Sequence, residues 1–322
     1  MRPAFSVLLL TTLIGAGQGL FIALFVAELA GLVGLVPKQD ERAFYANGSL
    51  LALIFLVAGL VASFFHLGRP ERAWRAAAMW RTSWLSREVI VLPAFIALVL
   101  LFGATHVASA GSEPSSAGFD VSLALGAAGV LVALALFVCT AMIYACLPFL
   151  REWASPLTIA NFALLGCASG FTLAAAFAVM AAPGLIRFFA GWAFVLTLLA
   201  AAFRVASLVR NARLRPKSTL QTAIGIKHPR IVQRSMGFMG GSFNTREFFH
   251  GRPLAALRSI KGIFLAAAFA IPILLLAAVW YGAPATLLFV AFVVQYLGLL
   301  AERWYFFAEA NHPQNLYYQA IA

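Results

Sequence analysis

Eight long apolar runs, separated by short polar segments, constrain the fold of this chain more than any other feature of its sequence. An α-helix of about 20 apolar residues crosses the ~30 Å hydrocarbon core of a bilayer. We predict membrane-spanning helices at about residues 5–36, 49–67, 86–109, 121–147, 157–182, 185–209, 262–281 and 284–308. The predicted fold class is therefore an all-α integral membrane protein, built as a bundle of eight transmembrane helices.

The composition supports a membrane location for the whole chain. Of its 322 residues, 63% are hydrophobic and 11% are charged, whereas soluble domains have about 25% charged residues. The first apolar run follows Arg2, as in a secretory signal, but it continues to Val36, well beyond the roughly 7–15 apolar residues of such a signal. We therefore interpret residues 1–322 as a single membrane domain whose first helix is retained.

Lysine and arginine are unevenly divided between the two sides of the predicted bundle. One side, named here the basic edge, has both termini and the loops at about 68–85, 148–156 and 210–261; the far edge has the other loops. Most of the Lys and Arg residues fall on the basic edge, many of them in the long polar loop at about 210–261. The positive-inside rule places the basic edge in the cytoplasm. A docking surface for a protein partner would leave the same pattern, so both explanations stay open. Nucleic acid is not expected, because no nucleic-acid motif accompanies the charge.

His66 and Glu88 flank the loop between the second and third predicted helices. His66 closes one apolar run and Glu88 opens the next, so a short connection returns both side chains to the basic edge. An imidazole and a carboxylate at an apolar edge can each accept a proton, which suits a lipid-soluble hydroquinone that loses two protons and two electrons. The structural alternative is that His66 anchors a helix end and that Glu88 favours the positive amino terminus of the third helix.

Five further polar side chains are predicted to lie within the apolar runs. An unpaired charge inside the bilayer costs about 3 kcal/mol or more, so the simplest interpretation is a buried polar network in which glutamate pairs with arginine. A quinone headgroup pocket, a proton path and the midplane site of a secondary transporter are alternative interpretations. The five residues are Gln18, Glu28, Arg204, Glu302 and Arg303.

The chain offers few ligands for a metal cofactor. Haem held by two histidines needs both at a similar depth, but His66 and His106 end their helices on opposite sides, so we predict no haem. Iron–sulfur clusters usually need four Cys ligands, whereas the chain has 3 cysteines. We therefore expect no metal site and no iron–sulfur cluster in this chain. The cysteines are Cys139, Cys146 and Cys167.

Five sequence segments, in order along the chain, resemble the DmsC family, the membrane anchor subunits of dimethyl sulfoxide reductase-type molybdoenzymes. The segments are "FHLGRPERAWRA", "RTSWLSREV", "MIYACLPFLREWASPLT", "KHPRIVQRSMGFMGGSFNTREFFHG" and "ERWYFFAEANHPQNLYYQ". The similarity extends from the first helix to the tail. Several motifs in the same order are more specific than a single short motif such as HLG.

The resemblance implies an eight-helix anchor without haem or molybdopterin of its own, in the inner membrane of a bacterium. Such anchors bind and oxidise menaquinol or ubiquinol in anaerobic respiration. They pass the electrons to a four-cluster iron–sulfur subunit, which feeds a molybdopterin catalytic subunit. The family's quinol-site histidine and functional glutamate fall on His66 and Glu88. We also predict that Arg69, Arg72 and Arg87 orient the headgroup or contact the partner. A secondary transporter and a purely structural anchor remain the alternative functions.

Overall fold

The structure, a computed structural model, describes residues 4–109, 121–215, 219–232 and 254–310. Within these ranges all regular elements are helical, and eight helical spans are long and apolar enough to cross a membrane. The predicted eight-helix membrane fold is therefore confirmed. The spans are Phe5–Leu32, Ala43–Phe64, Trp84–Ala108, Val121–Ala145, Pro156–Ala181, Pro183–Ala212, Arg258–Trp280 and Leu287–Glu309.

Ten α-helices, with short π and 3₁₀ segments, build these spans and part of the loops that the structure describes. They are α1 (Phe5–Leu32), α2 (Asn47–Phe64), α3 (Trp84–Ser109), α4 (Val121–Ala145), α5 (Pro156–Ala181), α6 (Ile186–Ala212), α7 (Leu220–Ile224), α8 (Leu254–Leu265), α9 (Ile271–Trp280) and α10 (Leu287–Glu309). The π turns are Glu41–Ala46 and Ala266–Ala270, and the 3₁₀ segments are Pro70–Ala77 and Pro183–Leu185. The seventh span joins α8 to α9 through the second π turn.

The first helix ends earlier than the apolar pattern predicts. The run of apolar residues continues to Val36, but α1 stops at Leu32. Gly34 adopts a left-handed φ of 73°, and the Leu35 amide donates to the Ala30 carbonyl at 2.8 Å. This is the Schellman arrangement that ends many helices, so a glycine in the turn, and not a change in hydrophobicity, sets the boundary.

Helices α1 and α5 form the centre of the bundle. In each of them 72% of the spanning window is buried, against 28–39% in the other six spans. A Cβ atom at Gly19 would overlap the Gly166 carbonyl, and one at Gly170 would overlap the Gly19 backbone. Small residues four positions apart allow helix backbones to touch within a membrane. The glycines therefore permit the close α1–α5 contact around which the other helices pack.

Three aromatic rings pack together near the middle of the bundle. Phe21 on α1 makes edge contacts with Phe95 and Phe102 on α3, with ring centroids 5.4 Å and 5.3 Å apart. All three rings are completely buried. The aromatic layer (Phe21, Phe95 and Phe102) therefore lies, along α1 and α3, between Glu88 near the basic edge and Glu28 near the far edge.

The π turn in the seventh span has a local cause. Pro272 lacks an amide hydrogen, so it cannot donate to the Ala268 carbonyl as a helical residue normally would. The Gln295 amide on α10 lies 3.5 Å from that carbonyl and also donates to the Thr197 hydroxyl at 3.1 Å. A buried polar side chain thus compensates for an interrupted helix.

Candidate functional site

Glu88 and His66 lie at the same membrane edge but in different surroundings. α2 ends at Phe64 and α3 begins at Trp84, so the connecting segment returns both residues to the basic edge. His66 is exposed, whereas Glu88, one turn inside α3, is only 7% exposed. Within the described ranges no hydrogen bond or ion pair joins the two side chains. The structure therefore agrees with the prediction that both residues lie at the basic edge, without a hydrogen bond or ion pair between them among the described residues.

His66 presents a neutral imidazole at this edge. Partial burial lowers its pKa from the ordinary value of 6.5. A neutral imidazole has one N–H donor and one nitrogen that can accept a hydrogen bond or a proton. The side chain can therefore contact a ligand headgroup at the surface and exchange protons with the adjoining water.

Glu88 borders a small polar cavity, which we name the polar chamber. Its volume is about 20 Å³, and it is formed where α1, α3, α4, α5 and α10 meet. The Thr140 hydroxyl on α4 donates to the Glu88 carboxylate at 2.5 Å. The main polar residues around the chamber are Gln18, Glu88, Thr140, Ser169 and Arg303. Five helices thus contribute polar groups to one buried volume close to the basic edge.

Gln18 and Ser169, two of the polar residues from the central helices, are held by backbone carbonyls. The Gln18 amide donates to the Ala133 carbonyl at 2.8 Å. The Ser169 hydroxyl donates to the Gly166 carbonyl at 3.0 Å. Because these hydrogen bonds fix the side chains, the chamber is a formed feature of the packed bundle.

An ionic network of residues on α6 and α10 adjoins the chamber. Arg204 is 2.6 Å from Glu302 and 3.9 Å from Glu309, and Arg303 is 3.5 Å from Glu302. The Arg303 guanidinium also lies 3.6 Å from the centre of the Phe162 ring. Arg204 and Glu302 are almost fully buried, so each charge needs the other. The ionic network (Arg204, Glu302, Arg303 and Glu309) touches the chamber through Arg303.

Glu28 lies apart from this network, which corrects the expectation of a single buried polar cluster. Its carboxylate accepts a hydrogen bond from the Ser122 hydroxyl at 2.5 Å and lies 3.5 Å from the His106 imidazole. Tyr45 stacks on His106 with ring centroids 4.7 Å apart. The far-edge pair (Glu28 and His106) is buried at the side of the membrane opposite to Glu88. The sequence could have predicted that Glu28 and His106 lie close together, because the first and third helices both end at the far edge.

The predicted surface arginines differ in what they contact. Arg87 donates to the Trp80 and Arg81 carbonyls, each at 2.9 Å, and its guanidinium lies 4.1 Å from the centre of the Trp84 ring. It therefore shapes the turn that leads into α3. Arg72 makes a long, exposed ion pair with Glu71 at 3.9 Å, and Arg69 is exposed.

Exposed aromatic residues accompany these arginines along the connecting segment. Phe65 is 81% exposed and Trp74 is 71% exposed. Arg75 lies 5.4 Å from the centre of the Trp74 ring, and Arg81 lies 5.2 Å from that of Trp80. Aromatic and basic side chains together are typical of the membrane interface. The 65–83 segment thus presents both an apolar and a basic surface at the basic edge.

Part of the predicted partner surface falls outside the described residues. The "GFMGGSFNTREFF" stretch of the long loop and the tail after Ala310 lie there, as do His250 and His312. Among the residues that the structure does describe, no group of three or more His, Cys, Asp or Glu could hold a metal ion. Cys139, Cys146 and Cys167 are all free.

Comparison with known proteins gives the family. The family model for the DMSO reductase anchor subunit (DmsC) matches residues 1–309. One sulfite dehydrogenase subunit, from Allochromatium vinosum, is 55% identical over 326 residues, an alignment that covers 100% of each chain. Anchor subunits of this family work with the catalytic and electron-transfer subunits of an oxidoreductase. With a family match over nearly the whole chain and this identity over its full length, the chain belongs to the DmsC family of membrane anchor subunits.

Proposed function

We propose that this chain is the membrane anchor of a sulfite-oxidising complex and that it reduces a quinone at the basic edge, beside His66 and Glu88. The 55% identity to a sulfite dehydrogenase subunit supports the substrate of the complex. The quinone belongs to the ubiquinone or the menaquinone class, since the residues at this edge do not select between them. The anchor itself would hold the quinone while the other subunits carry out sulfite chemistry.

The reaction balances across the complex. Sulfite and water give sulfate, two protons and two electrons at the catalytic subunit. The electrons pass to the quinone, which takes up two protons at its oxygens and becomes a quinol. His66 and Glu88 would deliver these protons, and water at the basic edge would restore them.

The burial of Glu88 beside the polar chamber is the observation that carries this proposal. A carboxyl group at 7% exposure inside an apolar bundle costs free energy when it is ionised, and such groups within a membrane commonly mark functional sites. It accepts a hydrogen bond from the Thr140 hydroxyl, and either protonation state of the carboxyl group can do so. Such a group is suited to exchanging a proton with a lipid-soluble substrate at the membrane edge.

The basic edge would also be the docking surface. From the family resemblance we expect a four-cluster iron–sulfur subunit that carries electrons to or from a molybdopterin catalytic subunit. Electron transfer falls steeply with distance, so the quinone must lie on the side where the iron–sulfur subunit binds. Following the positive-inside rule, we further propose that the complex lies on the cytoplasmic face of a bacterial inner membrane.

Sulfite-driven quinone reduction by the complete complex in membranes tests this function. We expect activity with ubiquinone or menaquinone analogues in the wild type and a loss of about 100-fold in His66→Ala. Sulfite oxidation with a soluble artificial acceptor should persist in the variant. His228→Ala is the matched control, because His228 is an exposed histidine on the basic edge that the mechanism does not use. Full quinone reduction in His66→Ala would contradict the site.

The reverse direction is the second candidate, favoured by the description of the family as DMSO reductase anchors. The same site would then oxidise menaquinol or ubiquinol in anaerobic respiration, with His66 and Glu88 accepting the two protons. Quinol-driven reduction of an S-oxide, without sulfite-driven quinone reduction, would establish this direction. A complex that assembles but exchanges electrons with no quinone would identify a purely structural anchor.

A further inference from the structure

The polar chamber has the size and the lining of a site for a water molecule. A cavity of at least about 10–15 Å³ can hold one water if two to four polar groups surround it. The chamber measures about 20 Å³. Glu88, Thr140 and Arg303 border it from three different helices, so a water there would have partners in several directions.

Besides Glu88, Arg303 is the other charged residue that lines this volume. Glu302 pairs with Arg303 at 3.5 Å, and the centre of the Phe162 ring lies 3.6 Å from the Arg303 guanidinium. These two contacts fix the position of the Arg303 side chain. Arg303 is only 4% exposed. Electrostatic interactions are stronger at such a buried site than at the surface.

The other groups that line the chamber around Glu88 are neutral. Helix α4 contributes the Thr140 hydroxyl, and it also places Cys139 and Tyr144 within electrostatic reach of the Glu88 carboxyl. Helices α1 and α5 contribute the neutral side chains Thr11, Thr12, Gln18 and Ser169. On α3 itself, the neighbouring Arg87 is charged but is bound to two backbone carbonyls.

We propose that the polar chamber binds one water that bridges Glu88 and Arg303, and that Arg303 supplies the counter-charge for ionised Glu88. Arg303 is thereby a positioning residue that acts through Glu88. This inference rests on the proposed role of Glu88 in proton transfer. When Glu88 gives its proton to a quinone oxygen, the carboxyl O–H bond breaks and an O–H bond forms on the quinone. Arg303 then stabilises the carboxylate until a proton from water at the basic edge restores it.

Infrared titration of the complete complex, without sulfite or added quinone, tests the proposal. The carbonyl band of protonated Glu88 is identified by its loss in Glu88→Gln, and its intensity is followed against pH. Removing a positive charge from the lining of the chamber favours the protonated form of Glu88. We therefore expect the midpoint of the band to move upward by about one pH unit or more in Arg303→Gln, and to return towards the wild-type value in Arg303→Lys.

Arg187→Gln is the matched control, since it removes one exposed positive charge at the far edge and should leave the midpoint unchanged. If Arg303→Gln does not assemble, Ser169→Val replaces a hydroxyl at the chamber and fills its volume while the ionic network stays intact. We expect the midpoint to move upward there too, together with loss of a water band that shifts in H₂¹⁸O. An unchanged midpoint in an assembled Arg303→Gln or Ser169→Val complex would overturn the proposal.

Quinone turnover measured on the same samples separates this inference from the proposed function. A fully active Glu88→Gln complex would remove Glu88 from quinone chemistry, whatever the titration of the band showed. A shifted band combined with inactive Glu88→Gln supports both proposals.

Discussion

Glu88 and Glu28 are two buried carboxyl groups at opposite edges of one bundle, and their surroundings differ. Both are less than one-tenth exposed, and each accepts a hydrogen bond from a hydroxyl group on α4. Glu28 has the His106 imidazole 3.5 Å away, with Tyr45 stacked on that ring. Glu88 has a polar cavity beside it. A carboxyl group next to a packed base is a structural contact, whereas one beside a cavity has room to exchange a proton.

The aromatic layer lies between these two regions along α1 and α3. Phe21, Phe95 and Phe102 are fully buried between them, and proton transfer requires water or polar groups in sequence. Each carboxyl group should therefore exchange protons only with its own side of the membrane. Quinone chemistry at the basic edge would then take up protons from that side alone.

We expect the largest effect from a bulky side chain placed between α1 and α5. The chamber depends on the close contact of these two helices. Gly170→Leu would place a side chain into the Gly19 backbone, which cannot move aside as a side chain could. We expect no folded protein by size-exclusion chromatography in detergent. Gly262→Leu is the matched control, because nothing lies within 4 Å of a Cβ at that position. Equal yields of folded protein from both variants would contradict the central role of this contact.

Opening the aromatic layer should weaken both the fold and the separation of the two regions. Phe21→Ala removes a fully buried ring and should lower the free energy of unfolding by about 3–5 kcal/mol. Liposomes containing the variant should also leak protons faster than those with wild type. Phe5→Ala, at a site that is 76% exposed, serves as the control. A stable, proton-tight Phe21→Ala protein would show that the layer does not isolate the edges.

The histidines of the two edges should respond in opposite ways to alanine substitution. His106→Ala removes the base beside buried Glu28, so we expect a loss of about 1–3 kcal/mol in the free energy of unfolding. Its quinone turnover should change by less than about threefold. His66→Ala should keep its thermal unfolding midpoint and lose turnover. The reverse pattern would place the functional site at the far edge.

The pH dependence of turnover should show the smallest effect, and it gives the sign of the His66 contribution. Because burial lowers the pKa of His66 below 6.5, the imidazole becomes a proton donor only as the pH falls through that lowered value. Wild-type quinone reduction should therefore rise towards acidic pH by a few-fold more than in His66→Ala. Quinol oxidation should show the opposite slope, because it needs the neutral imidazole. Parallel profiles of the two proteins in both directions would contradict proton transfer by His66.

The fold could be predicted from the sequence because the length of an apolar run alone decides whether it crosses the membrane. Counting crossings then placed His66 and Glu88 at one edge. The end of α1 at Leu32 could not be predicted from hydrophobicity, since it depends on the turn at Gly34.

The partners of the buried polar residues were harder to predict. Glutamate and arginine within apolar runs indicate pairing, and the structure does bring Arg204 and Glu302 together. Which pairs form depends on how each helix is rotated about its own axis. When apolar residues lie on all sides of a helix, the sequence does not show which side points into the bundle. The contact of Glu28 with His106 and the meeting of five helices at the polar chamber therefore required coordinates.

Sulfite-driven quinone reduction by Glu88→Gln and Glu28→Gln complexes tests the central claim most directly. Both changes remove one carboxyl charge and keep the side-chain shape, and bound partner subunits are verified in each sample. We predict that Glu88→Gln loses about 100-fold or more in quinone turnover while Glu28→Gln stays within about threefold of wild type. Equal activity of the two variants, or a greater loss in Glu28→Gln, would contradict a quinone site at the basic edge.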